Sequence, residues 1–315
     1  MPLQFFEDTK AAQPHIQEMI KKFGWAPEHN YFWYQYWQHY YDPPQQNIFV
    51  KNDHGGLFTA YDKKDSAYYV DFDPMGQPEH RVELLVEYIT WIFSNTAAAK
   101  IWFQLEMPIR KALRKALPPA YACQRIYFTI TWPVYNMEKF DPALPGGHYK
   151  TIRKEMHRFY NQHQVNVLAA KTFEDRKSLH AIVDNWKKNR LHHDRARLGV
   201  YHAMIDGNFE GADEARVLVV DGKPVGINAG WMIPNSDRFY GGVGIHDYSI
   251  EDLGTMLYLE DMVWLKNRGY REVDMGGSET AALPFKKKFL PDSFYKSAIF
   301  SVVKRNSDVT IEGKG

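Results

Sequence analysis

One succession of secondary-structure signals is written twice along this chain, and any fold must house both copies. In the C-terminal half, residues 216–220 alternate apolar and polar side chains, Asp221-Gly222 follows, and residues 224–233 resume as a second strand. An Asp-Gly pair between two such runs predicts a β-hairpin, because both turn positions need positive φ. Pro234-Asn235-Ser236-Asp237 turns the chain again before a third strand at 238–245. Residues 250–268 then carry apolar side chains at a helical period, and Gly269 stands where a helix is usually stopped. A short strand at 271–275, a short helix at 281–289 and a final strand at 294–303 complete the series.

The N-terminal half predicts the same order. Strands at 47–50 and 56–61 flank a turn, and a strand at 67–72 leads to a helix at 81–94. A strand at 100–105, a helix at 109–117 and a strand at 124–133 follow. Within the two long helices, Leu84, Glu87 and Trp91 recur as Leu257, Glu260 and Trp264 at one constant spacing. Between the copies, a basic amphipathic helix at 148–163, a strand at 165–168 and helices at 173–190 and 199–205 open the second one. The reading is two tandem copies of one α/β unit. Residues 1–140 hold the first copy with an aromatic-rich N-terminal extension, 141–305 the second, and 306–315 a flexible polar tail.

Charge narrows the partners. Lys plus Arg number 39 against 38 for Asp plus Glu, so no global field draws the chain to nucleic acid or an anionic membrane. A single cysteine, Cys123, excludes an internal disulfide and any multi-cysteine zinc site. No run approaches the roughly 20 apolar residues of a membrane span, and the start lacks the apolar core of a signal peptide. A cytoplasmic protein without a membrane span is expected. Aromatic residues make up 15% of the chain and are densest at residues 31–41. Such a stretch stacks bases, lines a substrate groove or packs across the protein body.

The run Gly269-Tyr270-Arg271-Glu272-Val273-Asp274-Met275-Gly276-Gly277-Ser278, followed by Phe285-Lys286 and Phe289, carries a family resemblance. With the element order, it resembles the GNAT-like acyltransferases. The branch it resembles includes FemAB-like peptidoglycan aminoacyltransferases, related acetyltransferases and the catalytic domains of lysyl-phosphatidylglycerol synthases. The resemblance implies tandem GNAT-like domains, each a central mixed twisted sheet flanked by helices. It also implies transfer of an acyl group to an amine of a small molecule or peptide. The donor it implies is acetyl-CoA or another acyl-CoA, or an aminoacyl-tRNA; a non-catalytic binding protein that keeps the same shell is the alternative from another class.

In such folds two parallel strands splay apart and the donor lies in the gap, its phosphates on the N–H groups of the next helix. The gap here is lined by residues 240–245, with Val243, Gly244 and Ile245 as donor-contacting backbone. Three glycines in six positions also signal a bulge or a close backbone approach. Ser249 is the expected N-cap, and Gly254 and Thr255 the expected phosphate seat. Glu251 and Asp252 stand where thioester-binding members carry a cation or amide and its neighbour, and they read equally as first-turn dipole partners. The first copy has Arg81 where the second has Gly254, which denies a phosphate any close backbone approach. The resemblance places Lys286 at the reacting carbonyl; Asp274, at a strand end beside two glycines, is the candidate that orients the amine or else orders the turn, and Tyr240, at the head of the gap strand, is the third catalytic candidate. Asn228, Trp231, His192, His193, Ser278 and Glu279 are candidate acceptor contacts. Adjacent histidines on a helix point in different directions, so His192 and His193 are not expected to share a metal. No nucleophile triad signature, P-loop or dinucleotide fingerprint is present.

Overall fold

The computed structural model describes residues 2–189, 197–279 and 282–305. Along the chain it forms β1 (Gln4–Phe6), α1 (Gln13–Phe23), α2 (Tyr31–Trp37), β2 (Gln46–Lys51), β3 (Gly55–Asp62), β4 (Ala67–Val70), β5 (Met75–Gly76) and α3 (Arg81–Asn95). Next come β6 (Lys100–Glu106), α4 (Met107–Ala116), β7 (Tyr121–Cys123), β8 (Phe128–Asn136), α5 (Lys150–Gln162), β9 (Val165–Ala169), α6 (Arg176–Lys188) and α7 (Gly199–Asp206). The chain closes with β10 (Glu214–Val220), β11 (Lys223–Met232), β12 (Arg238–His246), α8 (Leu253–Asn267), β13 (Glu272–Asp274), α9 (Leu283–Lys287) and β14 (Ser293–Lys304).

Two compact units result. The first holds the chain up to Phe23, Gln45–Thr129 and the part of β14 from Lys296. Its sheet runs β1-β2-β3-β4-β6-β14. Every neighbouring pair is antiparallel except β4 with β6. Leu84, Leu85, Tyr88, Ile89 and Ile92 of α3 form one buried cluster with Ile101, Phe103 and Phe300 of this sheet.

The second unit holds Gly24–Pro44 and Ile130–Tyr295. Its sheet runs β9-β10-β11-β12-β13-β8, antiparallel except for β12 with β13. The two units therefore share one strand-pairing pattern, and α3 and α8 are both 15 residues long. The last strand of each sheet comes from the other half of the chain: β14 lies beside β6, and β8 beside β13. The strand expected at 124–133 is thereby divided. Polar Gln124-Arg125 interrupts the alternation after β7, and β8 from Ile130 joins the second unit.

The Asp221-Gly222 turn forms as expected, with φ of 50° and 79°. The aromatic α2 packs within the second unit. Asn30 caps it by accepting from Trp33 N at 3.1 Å, and donates to Gly211 O at 2.8 Å. The Tyr36 hydroxyl donates to Glu210 O at 3.1 Å. A methyl on Gly207 would lie 2.6 Å from that hydroxyl, so glycine is what admits the ring. Helix α8 is buried on most of its surface. Beneath the sheet, Arg216 of β10 pairs with Asp261 of α8, both almost wholly buried, and lies over the Trp264 ring. Burial holds the Arg216 guanidinium down to about 10.

Candidate functional site

The site forms where β12 and β13 part. Their parallel pairing covers only Arg238–Glu272, Phe239–Val273 and Tyr240–Asp274. Past that point β12 bulges. Ala229 pairs with Val243 and Trp231 with Tyr240, so β12 carries one residue more than β11 across Gly241-Gly242. Gly242 is crowded: a methyl there would lie 2.8 Å from the Tyr240 ring and 2.9 Å from Trp231. On the other side, the chain leaves β13 through Gly276 at φ 78°, a conformation that favours glycine. A methyl on Gly277 would lie 2.4 Å from Ile130 Cγ2 and 2.9 Å from Trp132.

Asp274 ends β13 fully buried. Its Oδ1 accepts from Gly276 N at 2.9 Å, and its Oδ2 accepts from the Tyr295 hydroxyl. Burial pushes its carboxyl up to about 6, against the opposing pull of the Tyr295 hydroxyl, the Gly276 N–H and the Lys286 and Arg238 charges. The Lys286 ammonium reaches from α9 and donates to Met275 O at 2.6 Å and Gly276 O at 2.7 Å. A methyl on Gly276 would stand 3.7 Å from Lys286 Nζ and 4.0 Å from the Tyr240 hydroxyl. Lys286, Asp274 and Tyr240 thus meet around one glycine. Aromatic rings surround this corner. Trp132 stacks on Tyr295 at 5.5 Å and 8°, and Trp231 meets Tyr240 edge-on at 5.1 Å. Burial, then the Glu28 and Asp274 charges, hold the Tyr240 phenol far above its ordinary value. Burial, Asp274 and Glu28 do the same at Tyr295.

The other expected contacts are differently placed. Val243, Gly244 and Ile245 lie on the part of β12 beyond β13, paired with β11. Ser249 is not the N-cap: its N–H donates to Asp247 Oδ1 at 2.8 Å, and α8 starts after Asp252 at φ 62°. Asp252 and Glu251 precede the helix, and Arg158 of α5 bridges both carboxylates. Gly254 admits the His246 ring, whose Nε2 would stand 2.7 Å from an added methyl. Thr255 is buried in α8. Asn228 donates to Leu257 O at 3.1 Å and so ties β11 to α8. Trp231 donates to Pro27 O at 2.7 Å and meets Trp33 at 5.3 Å. Ser278 bridges to Thr131 through its backbone, and its buried hydroxyl has no hydrogen-bond partner among the described residues. The Glu279 carbonyl accepts from Ala282 N at 3.2 Å. His192 and His193 lie outside the described residues, as does the tail at 306–315. Among the described residues no three His, Cys, Asp or Glu side chains are grouped to hold a metal, and no helix is long and apolar enough to cross a membrane.

Tyr295, Trp132, Glu28 and His246 were not found from sequence. Tyr295 opens a strand and Glu28 lies in a distant turn, and neither stands within a motif.

A mixed sheet whose two parallel strands splay apart before a long helix defines a GNAT-like fold. A tandem GNAT protein of the clavulanic acid biosynthesis pathway has the same fold, with a TM-score of 0.55, 12% identity, and 97% of this chain and 100% of that one covered. The C-terminal domain of a putative lysylphosphatidylglycerol synthetase from Agrobacterium fabrum gives a TM-score of 0.65 at 13% identity, covering 96% of this chain and 93% of that one. L-PGS from Bacillus licheniformis gives 0.62 at 13% identity, covering 94% and 93%. A comparison with curated proteins gives no match. The family model described as phosphatidylglycerol lysyltransferase, C-terminal, matches residues 38–308. The chain belongs to that family, and is an acyltransferase-type enzyme with a GNAT-like fold.

Proposed function

We propose that the chain transfers an aminoacyl group from an aminoacyl ester, such as a charged tRNA, to a nucleophilic oxygen or nitrogen of an acceptor. The family's name suggests a lysyl group as cargo and phosphatidylglycerol as acceptor. The observation that carries this reading is the Lys286 ammonium, held on Met275 O and Gly276 O, with the Tyr240 hydroxyl facing the same glycine. The acceptor attacks the ester carbonyl, its new bond to carbon forms, and the carbon–oxygen bond to the ribose breaks. The acceptor's proton ends on the departing ribose oxygen. In between, negative charge gathers on the carbonyl oxygen. The Lys286 ammonium and the Tyr240 phenol, which keeps its proton, are fixed dipole and charge for that oxyanion. Asp274 positions both flanks by fixing the Gly276 turn and Tyr295.

Two features favour an ester over a coenzyme A thioester. The His246 ring fills the face that Gly254 opens, and the cation at the helix start, Arg158, is already paired with Glu251 and Asp252 where a diphosphate would need it. The test offers the full chain labelled lysyl-tRNA with phosphatidylglycerol vesicles, and labelled acetyl-CoA with an amine acceptor. Label is expected in the lipid extract from the first donor alone. Transfer from acetyl-CoA but not from the charged tRNA would overturn the reading.

A further inference from the structure

Lys286 stands on a helix that does not hold its own place. Helix α9 is five residues long, and among the described residues no side chain caps its start. A helix that short is not stable by itself, so its position is set by what it packs on. Phe285 and Phe289 lie against the Tyr258 ring of α8, with centroids 5.5 and 4.5 Å away. Lys288 Nζ stands 3.6 Å from Glu155 of α5. The contact made on Lys286 itself comes from β8: the Tyr135 hydroxyl donates to Lys286 O at 2.8 Å. That hydroxyl in turn accepts from the Tyr258 hydroxyl at 2.8 Å, so one directed chain of hydrogen bonds runs from α8 through β8 to α9. Both phenols are buried, and burial raises each above its ordinary value, so both keep the protons the chain needs. The other end of the lysine is held by Met275 O at 2.6 Å and Gly276 O at 2.7 Å. Lys286 is thus fixed twice, its carbonyl on Tyr135 and its ammonium at the fork. A charge that serves a reacting carbonyl needs such fixing, because a misplacement of about 1 Å can cost about 100-fold in rate.

We infer that Tyr135 is a positioning residue for the transfer reaction: its hydroxyl, oriented by Tyr258, holds the Lys286 backbone where the ammonium meets the fork of β12 and β13. This inference rests on the role given to Lys286 above. It adds two tyrosines, 123 residues apart, that lie outside the run carrying Asp274 and Lys286.

Tyr135→Phe keeps the ring and removes the hydrogen bond to Lys286 O, but it also strands the buried Tyr258 hydroxyl. The double variant Tyr135→Phe/Tyr258→Phe removes both hydroxyls and so separates positioning from stability. Transfer from labelled lysyl-tRNA to phosphatidylglycerol vesicles is expected to lose about 10-fold in kcat in both variants, with KM for the charged tRNA within about 2-fold of wild type. The double variant is expected to keep the wild-type unfolding midpoint. In a Lys286→Ala background the same changes are expected to cost less than about 2-fold more, since a residue acting through Lys286 then has nothing left to position. Labelling by acetic anhydride, read by peptide mass spectrometry, needs neither donor nor acceptor. Lys286 is expected to react at least about 3-fold faster in the double variant than in wild type, with the other lysines unchanged. Losses that multiply with that of Lys286→Ala, or Lys286 labelling unchanged in the double variant, would overturn the inference. If the role given to Lys286 is the part that fails, Lys286→Ala itself transfers at the wild-type rate.

Discussion

Replacing Asp274 with Asn should change how stability depends on pH, and the size of the change follows from the burial of the carboxyl. In the folded protein the Asp274 carboxyl is pushed from 3.8 up to about 6. The folded state therefore holds the proton more tightly than the unfolded chain. That difference contributes stability that is fully present below pH 3.8 and is lost as pH rises through about 6. A rise of about two pH units corresponds to about 3 kcal/mol, of which about 2 kcal/mol disappears between about pH 4.5 and about pH 7.5. Asn keeps the shape and does not titrate. Its carbonyl can still accept from Gly276 N, while its amide faces the Tyr295 hydroxyl, so a constant cost of about 1–2 kcal/mol is expected on top. Urea unfolding of both proteins across that range should find Asp274→Asn gaining on wild type by about 2 kcal/mol as pH rises. A difference that stays flat with pH, or moves the other way, would refute the buried, upward-shifted carboxyl.

Three other substitutions probe the packing. Gly277→Ala puts a methyl 2.4 Å from Ile130 Cγ2 and should cost about 1–3 kcal/mol, with Trp132 fluorescence reporting the displaced ring. Arg216→Met or Asp261→Leu alone should cost about 3–5 kcal/mol by stranding a buried charge, whereas the double variant should lie within about 1 kcal/mol of wild type. Gly254→Ala should give no stabilisation while the His246 ring is present, but about 0.5 kcal/mol in a His246→Ala background, both read from unfolding midpoints.

What sequence revealed was local. Asp221-Gly222 names its turn because the two residues themselves need positive φ. Lys286 and Asp274 were legible because both stand in one short run, and Gly241-Gly242 of β12 announced the bulge they form. What escaped was settled by contacts between distant stretches. Tyr295 meets Asp274 across 21 residues, and Trp231 holds Pro27 across 204. Ser249 has the composition of an N-cap, but Arg158 from α5 draws Asp252 and Glu251 together and fixes the helix start three residues later. The exchange of last strands between the two units leaves no local signal either, since β8 and β14 read as ordinary strands wherever they pair.

Transfer depends on the Lys286 ammonium at the fork of β12 and β13, and chemical rescue tests that dependence directly. Lys286→Ala is expected to slow aminoacyl transfer by about 100-fold or more with its unfolding midpoint retained. Added methylammonium, entering the space left by the side chain, is expected to restore about 10-fold of that loss in a saturable way. Transfer at the wild-type rate by Lys286→Ala, or a loss that methylammonium leaves untouched in a fully folded variant, would contradict the account.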